Sequence, residues 1–283
     1  MCPDIAVSAA PTTVTELCRL VEERFGLAYT HENAFLLERR VCERACDLGL
    51  HSLDEYRLLL VGCTPSQRAN EWAQLFELLS TRETYFFRET YQLDVFREVL
   101  LPEVCRAQAH ETCLDVWSAG CASGEETYSI AIEILQSGLF SDGRVRVVGS
   151  DLSQRALQTA QAAVYGPSSF RQTLAERQQK HFHPVQDKWQ VHESVRALCS
   201  FVPLNLMSQD FGAVGGPFQA IFCRNVLIYF DRRRRPGLIQ RLCDRLLPGG
   251  YLFLGHAETL LGEQTPLVPT RLGTELVYRK PLR

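Results

Sequence analysis

The stretch "CLDVWSAGCASGEETYSIAIEILQSG", Cys113–Gly138, passes from a short apolar run through a glycine-containing turn into a helical pattern. The run "CLDVWSAG" is typical of a strand, and "EETYSIAIEILQSG" is typical of a helix that ends at a glycine. Gly120 and Gly124 lie between the two, where the backbone must turn tightly and can approach a ligand closely. The stretch predicts a strand, a glycine loop and a helix in succession.

The same alternation continues to the carboxyl end of the chain. The further strand-like segments are "RVRVVGSD", "ALCSFVPLNL", "FQAIFCRNVLIYF" and "YLFLGHAE". Helical segments lie between them, namely "SQRALQTAQAAVYG" and "RRRPGLIQRLCDRLL". Strands that alternate with helices favour a parallel sheet with helices on its faces. We therefore predict a Rossmann-like α/β domain over residues 113–283.

The residues before this domain show only helical spacing. From about Thr12 to Leu79 the helical segments are "TVTELCRLVEERFG", "NAFLLERRVCERACDLGL", "SLDEYRLLL" and "NEWAQLFELLS". Gly26 and Gly49 occupy positions at which helices commonly stop. We predict a small all-α domain at residues 1–78 and a connecting segment at residues 79–112.

The composition argues against several classes of protein. The chain has 283 residues and a net charge of −3, which gives no overall attraction to nucleic acid or membranes. No apolar run approaches the roughly 18 residues of a membrane-spanning helix, and the amino terminus lacks the pattern of a signal peptide. The eleven cysteines are scattered without a CxxC pair, and the histidines of "HFH" have no carboxylate or cysteine beside them. We expect a cytoplasmic protein with reduced thiols and no metal site.

The glycine loop and the strand that follows it together indicate a cofactor, because ligands of doubly wound sheets bind beyond the carboxyl ends of strands. The loop has GxxxG spacing, not the GxGxxG of nicotinamide enzymes, so close pyrophosphate contact is not indicated. Asp151 ends the next strand, where a carboxylate can accept both hydroxyls of a ribose. A ribose acceptor without a pyrophosphate loop favours S-adenosylmethionine. The alternatives are a plain turn at the glycines and a helix-capping role for Asp151 beside Ser153.

Polar side chains near other strand ends extend this candidate site. Glu125 and Glu126 open the helix after the glycine loop, where they either suit the helix dipole or hold the ammonium group of a methionine moiety. Asn205 follows the strand in "PLNL", and Asn225 and Tyr229 follow the strand in "CRNVLIYF". Buried amides are costly unless they are paired, so two of them at strand ends suggest recognition of adenine and methionine polar atoms.

Six motifs carry a resemblance to a known family. In order along the chain they are "STRETYFFRE", "WSAGCASGEETYSIAI", "GSDLS", "FVPLNL", "FQAIFCRNVLIYFD" and "LFLGHAETL". From about residue 15 to its end, the chain resembles the CheR-type chemotaxis receptor methyltransferases. The resemblance implies a class I methyltransferase domain that transfers a methyl group from S-adenosylmethionine to receptor glutamates.

The resemblance also implies which side chains meet the cofactor. It favours Glu126 over Glu125 as the binding carboxylate. It implies that Arg88 orients the acceptor carboxylate and that Tyr229 is a second hydrogen-bonding group near it. The implied cofactor contacts, taken together with Gly120 of the loop, are Thr84, Arg88, Glu126, Asp151, Asn205, Leu206, Asn225 and Val226.

The segment "TYFFRET" places aromatic residues directly before Arg88. In the family this segment leads into the catalytic domain, so the resemblance implies that the aromatics fix the arginine by burial. Arg82 stands where the family often has asparagine, which puts a cofactor contact at that position in doubt. Arg232–Arg235 begin a helix and form either a solvated face or an anion site.

Receptor recognition is a further implication of the resemblance. The family's amino-terminal domain presents a basic helix to acidic receptor helices, and Arg40 and Arg44 lie four residues apart on one helix face here. A solvated helix side is the alternative for this pair. A small antiparallel β-subdomain is expected at roughly 167–200, and its shortness favours an enzyme that works without a receptor tether. We expect a monomer whose partner is an acidic helical receptor.

Two other functions stay open at the level of sequence. One is a methyltransferase of the same fold that acts on a small molecule or on nucleic acid, although neither a basic surface nor an aromatic stacking pattern supports nucleic acid. The other is a catalytically silent cofactor-binding module of a signalling array. Arg88, Asp151 and Asn225 argue against the silent module, because all three are present.

Overall fold

The computed structural model describes residues 11–30, 32–62, 64–80, 83–107, 113–140 and 144–282. Arg82 lies outside these residues, so its cofactor contact stays open. Contacts divide the chain into two compact units. The first comprises Met1–Thr81 with Tyr229–Asp231, and the second comprises Arg82–Ile228 with Arg232–Arg283.

The first unit is a small helical domain. Its described residues form the helices α1 Pro11–Phe25, α2 Ala34–Asp47, α3 Leu53–Gly62 and α4 Pro65–Leu79. Apolar side chains at helical spacing turn inward and are removed from water, which stabilises the unit. The fully buried ones include Leu17, Val21, Leu37, Val41, Leu53 and Leu75.

The second unit alternates strands and helices. Its strands, in chain order, are β1 Leu114–Ala119, β2 Val145–Asp151, β3 Val164–Tyr165, β4 Phe182–Val185, β5 Lys188–Val191, β6 Cys199–Pro203, β7 Phe218–Cys223, β8 Leu246–Leu254, β9 Val268–Leu272 and β10 Glu275–Arg279. Its helices are α5 Thr90–Val95, α6 Leu101–Ala107, α7 Glu125–Ser137, α8 Gln154–Ala162, α9 Ala175–His181, α10 Glu193–Arg196 and α11 Arg235–Arg245. A π-helical turn, Phe96–Leu100, joins α5 to α6. Short 3₁₀ turns occur at Pro167–Phe170, Gly212–Val214 and Leu227–Tyr229.

The main sheet has seven strands in the order β6-β2-β1-β7-β8-β10-β9. The pairs from β6 to β8 are parallel, and β10 runs antiparallel to both of its neighbours. A second sheet of three antiparallel strands, in the order β3-β5-β4, is inserted between α8 and α10. This architecture confirms the predicted Rossmann-like α/β domain with a small β-subdomain, preceded by an all-α domain.

The strand order changes direction at β1, which fixes where a ligand can bind. From β1 the chain proceeds outward through β2 to β6 on one side, and through β7 and β8 on the other. In open α/β sheets the crevice at such a switch point receives the ligand, beyond the carboxyl ends of the strands. The ends of β1, β2, β6 and β7 therefore frame the candidate site.

Candidate functional site

The loop after β1 requires glycine at both of its ends. Gly120 and Gly124 have φ angles of 77° and 92°, in the left-handed region that residues with side chains disfavour. A Cβ atom on Gly120 would lie 2.6 Å from Cγ2 of Val226, and one on Gly124 would lie 2.7 Å from Cβ of Ala160. The loop backbone therefore packs directly against the turn after β7 and against α8.

Asp151, at the carboxyl end of β2, holds this loop in place. Its Oδ2 accepts a hydrogen bond from the Ala122 N–H at 2.9 Å, and its Oδ1 accepts one from the Ser153 N–H at 2.9 Å. The N-cap of α8 is Ser153, whose Oγ accepts from the Ala156 N–H at 3.0 Å. The side chain that caps α8 is therefore that of Ser153, and not that of Asp151. The Asp151 carboxylate also lies at the carboxyl end of a strand, where the ribose hydroxyls of a ligand would meet it.

Glu126 lies at the switch point, close to the end of β1. Its Oε1 accepts a hydrogen bond from Ser118 Oγ at 2.7 Å, and its Oε2 accepts one from Arg224 Nε at 2.7 Å. Its side chain is 13% exposed. A carboxylate fixed in this way beside a strand end suits the ammonium group of a bound methionine moiety.

Glu125, by contrast, is a buried acid held by neutral donors. Ser123 Oγ donates to one of its oxygens at 2.7 Å, and Ser169 Oγ donates to the other at 2.9 Å. Burial raises the pKa of the Glu125 carboxyl above its ordinary value of 4.5. The folded protein therefore binds this proton more tightly than the unfolded chain does.

We expect the stability of the Glu125→Gln variant, measured relative to that of the wild type, to increase as the pH rises. Below the ordinary pKa of 4.5, Glu125 is protonated in both the folded and the unfolded wild type. The stability that the protonated carboxyl contributes is lost as the pH rises through the raised folded-state pKa, whereas glutamine does not titrate. Thermal melting of both proteins from about pH 4 to pH 8 should give a difference in Tm that grows and then levels off. A difference that is independent of pH would contradict this expectation.

Arg224, which was not predicted from the sequence, connects three parts of the site. Its side chain is 1% exposed. Besides binding Glu126, it donates from Nη2 to the carbonyl of Arg88 at 2.8 Å and from Nη1 to Gln92 Oε1 at 3.2 Å. These partners are needed because an unpaired buried charge is costly. The available sequence signal was its position directly before Asn225 in "CRNV".

The side chain of Arg88 is held within its own segment, and the residues on either side of it have an unusual backbone conformation. The Arg88 Nη1 donates to the carbonyl of Glu83 at 2.8 Å, and the guanidinium carbon lies 5.7 Å from the centre of the Tyr85 ring. Phe87 and Glu89, on either side of Arg88, have φ angles of 58° and 53°. Left-handed residues other than glycine are uncommon, and they concentrate at functional sites. This conformation supports a functional role for the segment.

The aromatic residues directly before Arg88 anchor the segment. Phe86 and Phe87 are 0% and 1% exposed. The Phe87 N–H donates to Ser129 Oγ at 2.9 Å, and that hydroxyl donates to the carbonyl of Glu125 at 2.6 Å. Helix α7 therefore fixes the backbone one residue before the arginine.

The turn after β7 is held by two carboxylates that the sequence did not single out. Asn225 has a φ of 58°, its N–H donates to Glu258 Oε2 at 2.7 Å, and its Nδ2 donates to Glu89 Oε1 at 3.3 Å. Glu258 also accepts from the N–H groups of Gly255 and Ile228, at 2.7 and 3.1 Å. The signal for both acids was their place in the motifs "TYFFRET" and "LFLGHAETL".

The turn after β6 contains Asn205 and Leu206. Asn205 Oδ1 accepts from the N–H two residues further along the chain at 2.9 Å, and the Leu206 carbonyl accepts from Arg241 Nη2 at 2.9 Å. The Leu204 N–H donates to the carbonyl of Asp151 at 2.9 Å. This turn is therefore fastened to the end of β2.

The structure thus connects Arg88 and Glu126 through Arg224. Asn225 lies beside this group, because its partner Glu89 is 3.8 Å from the Arg224 guanidinium. Thr84 is half-buried in the segment that leads to Arg88. Tyr229 belongs to the segment Tyr229–Asp231 that groups with the helical unit, and its carbonyl accepts from an N–H of that unit at 2.9 Å. Its role as a second hydrogen-bonding group stays a prediction.

The polar groups at the switch point fit S-adenosylmethionine. The Asp151 carboxylate would hold the ribose hydroxyls, and the Glu126 carboxylate would hold the ammonium group. Between them lies the glycine loop, where a side chain at Gly120 would collide with Val226. Glycine at this position therefore lets the loop backbone lie directly against Val226 in the turn after β7.

Comparisons with known proteins agree with this geometry. Residues 82–273 match a family model described as "CheR methyltransferase, SAM binding domain". The chain belongs to the CheR methyltransferase family. Its cofactor is S-adenosylmethionine, in agreement with the polar groups at the switch point.

Several relatives of this CheR chain are similar over most of its length. The chemotaxis protein methyltransferase 1 of Pseudomonas aeruginosa is 34% identical over 252 residues, which are 87% of this chain and 89% of that protein. The chemotaxis protein methyltransferase of Klebsiella aerogenes is 32% identical over 246 residues, 86% of this chain and 81% of that protein. The probable biofilm formation methyltransferase WspC of Pseudomonas aeruginosa is 33% identical over 265 residues, 93% of this chain and 60% of that protein.

The two predicted recognition residues of the CheR chain, both on α2, have different surroundings. Arg40 is exposed. Arg44 donates from Nε and Nη2 to the two carboxylate oxygens of Glu71, at 2.9 and 2.7 Å, and Tyr56 OH donates to the same carboxylate at 2.7 Å. The Glu71 side chain is 8% exposed, so the guanidinium of Arg44 is paired with a buried carboxylate inside the helical unit. A part for Arg44 in recognition stays a prediction.

Two further observations concern metal binding and membrane-spanning helices. Within the described ranges, no group of three or more His, Cys, Asp or Glu side chains is arranged to hold a metal ion. None of the helices in that same part of the chain is long and apolar enough to cross a membrane.

Proposed function

We propose that this CheR-family chain transfers the methyl group of S-adenosylmethionine to glutamate side chains of a chemoreceptor-type signalling protein, giving glutamate methyl esters and S-adenosylhomocysteine. The observation that carries the proposal is the placement of Arg88. Its carbonyl accepts from Arg224 at 2.8 Å, and Arg224 also binds Glu126, so the Arg88 backbone is held by the same side chain that binds the candidate cofactor carboxylate. The relatives named as chemotaxis protein methyltransferases supply the class of substrate.

A carboxylate acceptor suits this site because it needs no general base. A glutamate side chain has an unperturbed pKa of about 4.3, so its oxygen is already a nucleophile at neutral pH. The cofactor supplies a methyl group on a positively charged sulfur. Catalysis then depends on holding the two reacting groups in line. Arg88 can hold the acceptor, because a planar guanidinium donates two parallel hydrogen bonds to a carboxylate.

The exposed face of α2 is the proposed contact with the receptor. Phe35 and Leu36 are 60% and 50% exposed, and Arg39 and Arg40 follow one helical turn later. Exposed apolar side chains beside positive charge are suited to a partner helix that carries acidic residues. We propose that a monomer binds an acidic helical bundle in this way.

We expect Arg40→Glu to raise the KM for the receptor without changing the affinity for the cofactor. The reversed charge would repel an acidic helix, and rim charges act mainly on association. The wild-type reaction should also slow as salt is added, because exposed charges are screened. Initial rates measured against receptor concentration, at low and high salt, provide the test.

A matched control separates recognition from net charge. Arg19 of α1 is an exposed arginine of the same unit, with 54% of its side chain accessible, and Arg19→Glu makes the same change in charge. It breaks ion pairs with Glu16 and Glu23, but these are exposed and contribute little to stability. Arg44 is left intact, because reversing it would break its ion pair with buried Glu71. Equal KM values for Arg40→Glu and Arg19→Glu would show that this α2 face is a solvated surface with no part in receptor recognition.

The proposed function is tested by following a labelled methyl group. The protein is incubated with methyl-labelled S-adenosylmethionine and purified receptor signalling fragments. We expect label in the receptor that mild alkali releases as methanol, because esters hydrolyse in base whereas N-methyl groups do not. Alkali-stable label, or transfer only to nucleic acid or small molecules, would contradict the proposal. Cofactor binding without any transfer would instead identify a silent module.

A further inference from the structure

The segment that leads to Arg88, residues 83–87, packs against the inserted residues between α8 and β6. The Phe86 N–H donates to the carbonyl of Ser169 at 2.9 Å. The Phe86 ring also packs against the rings of Phe170 and Phe182, with centroids 5.0 and 4.7 Å away. The β-subdomain, with the 3₁₀ turn between its strands β3 and β4, therefore sets the position of this segment.

Arg171, which directly follows that turn, makes two contacts with the same segment. Its Nη2 donates to Glu83 Oε1 at 2.7 Å. Its guanidinium carbon lies 4.0 Å from the centre of the Tyr85 ring, within the range of a cation–π contact. One side chain thus restrains two residues of the segment.

Those two residues are the ones that hold the Arg88 side chain. Arg88 Nη1 donates to the carbonyl of Glu83 at 2.8 Å, and its guanidinium carbon lies 5.7 Å from the centre of the Tyr85 ring. The Tyr85 ring therefore contacts two guanidinium groups. Arg171 restrains Glu83 and Tyr85, and these two residues in turn contact the Arg88 side chain. The orientation of Arg88 therefore depends on Arg171.

The backbone of Arg88 is fixed by other groups. Arg224 donates to the Arg88 carbonyl, and Ser129 accepts from the preceding N–H. The ion pair of Arg171 with Glu83 is mostly in solvent, with side chains 44% and 64% exposed, and such pairs add little to stability. Loss of Arg171 should therefore free the Arg88 side chain without unfolding the segment.

We infer that Arg171 is a positioning residue for methyl transfer, which acts by orienting Arg88 through Tyr85 and Glu83. The inference rests on the proposed function, in which Arg88 aligns the acceptor carboxylate. It also gives the inserted β-subdomain a part in the reaction, because Arg171 belongs to that insertion.

The kinetic test compares Arg171→Ala with Arg171→Lys. At saturating receptor and cofactor, we expect the alanine variant to lose about tenfold in kcat, the scale of one lost cation–π contact. The receptor KM and the affinity for S-adenosylhomocysteine should stay near the wild-type values. Lysine keeps the charge over the ring and should restore most of the rate. Arg196→Ala removes an arginine of α10 that pairs with Glu193 at 3.2 Å, and this control should retain full activity.

A double-mutant cycle with Arg88→Lys identifies the route of the effect. If Arg171 acts through Arg88, then Arg171→Ala should cost little further activity once Arg88 is lysine. Losses that multiply in the double variant would overturn the inference, because they would show that the two residues act independently.

A second readout does not depend on the substrate. NMR relaxation of the Arg88 Nε–Hε group reports the order of the side chain. The signal of this group is assigned by its disappearance in the Arg88→Lys variant. We expect this group to become more mobile in Arg171→Ala and to stay ordered in Arg196→Ala. An unchanged Arg88 signal would overturn the inference even if receptor methylation is confirmed. If receptor methylation fails, this signal still decides whether Arg171 orients Arg88.

Discussion

Replacing Asp151 with alanine is expected to weaken the binding of S-adenosylhomocysteine by about tenfold to a hundredfold. Two losses combine in this variant. The ligand loses the carboxylate that we expect to accept its ribose hydroxyls, and the N–H groups of Ala122 and Ser153 lose the oxygens that they reach at 2.9 Å. Titration calorimetry measures the affinity, and thermal melting verifies that the variant is folded.

The two contributions at Asp151 can be separated by changing the ligand. An analogue of S-adenosylhomocysteine that lacks the ribose hydroxyls should bind wild type more weakly, but it should lose less affinity than the parent compound on Asp151→Ala. Glu193→Ala removes a carboxylate that is 78% exposed on α10 and serves as the control for lost charge. Unchanged affinity in a folded Asp151→Ala protein would exclude Asp151 from the cofactor site.

Local patterns were sufficient to predict the five parallel strands of the main sheet and the helices α7, α8 and α11 between them, whereas the antiparallel strands β9 and β10 were not predicted. The strand "CLDVWSAG" and the loop after it stand out because an apolar run and two glycines are adjacent in sequence. The conformations agree with that prediction, since both glycines have left-handed φ angles. Asp151 could be selected for the same reason, because its position at a strand end is also a local property.

Local patterns gave wrong predictions where the conformation of a residue is set by contacts with residues distant in sequence. The predicted helix "SQRALQTAQAAVYG" ends at Ala162, because Val164 and Tyr165 pair with β5 in the small sheet. The helical spacing of these residues is real, but tertiary pairing overrides it.

The charged network of the site was hidden for the same reason. Arg224 and Glu126 are 98 residues apart in sequence, and Asn225 and Glu89 are 136 apart. Nothing in a single sequence indicates that such side chains meet. The pairing of Arg44 with Glu71, 27 residues away, likewise escaped a prediction based on the faces of one helix.

Arg88→Lys is expected to lower turnover by about a hundredfold, the scale of a modest misplacement of reacting groups. Lysine keeps the positive charge but lacks the planar fork that grips a carboxylate with two parallel bonds. It also cannot reproduce the geometry in which Nη1 reaches the Glu83 carbonyl while the guanidinium lies over Tyr85. Turnover is measured at saturating cofactor and receptor, so that any loss of cofactor affinity does not enter the comparison.

The result separates alignment from simple electrostatics, because only alignment depends on the shape of the cation. If charge alone mattered, the lysine variant would approach wild-type turnover, since the distance from the backbone to the charge is similar. The strained backbone favours alignment: Phe87 and Glu89 both have left-handed φ angles, and such conformations persist only where surrounding contacts enforce them. A folded lysine variant with wild-type turnover would leave Arg88 as an electrostatic contact, and it would remove the step through which Arg171 is inferred to act.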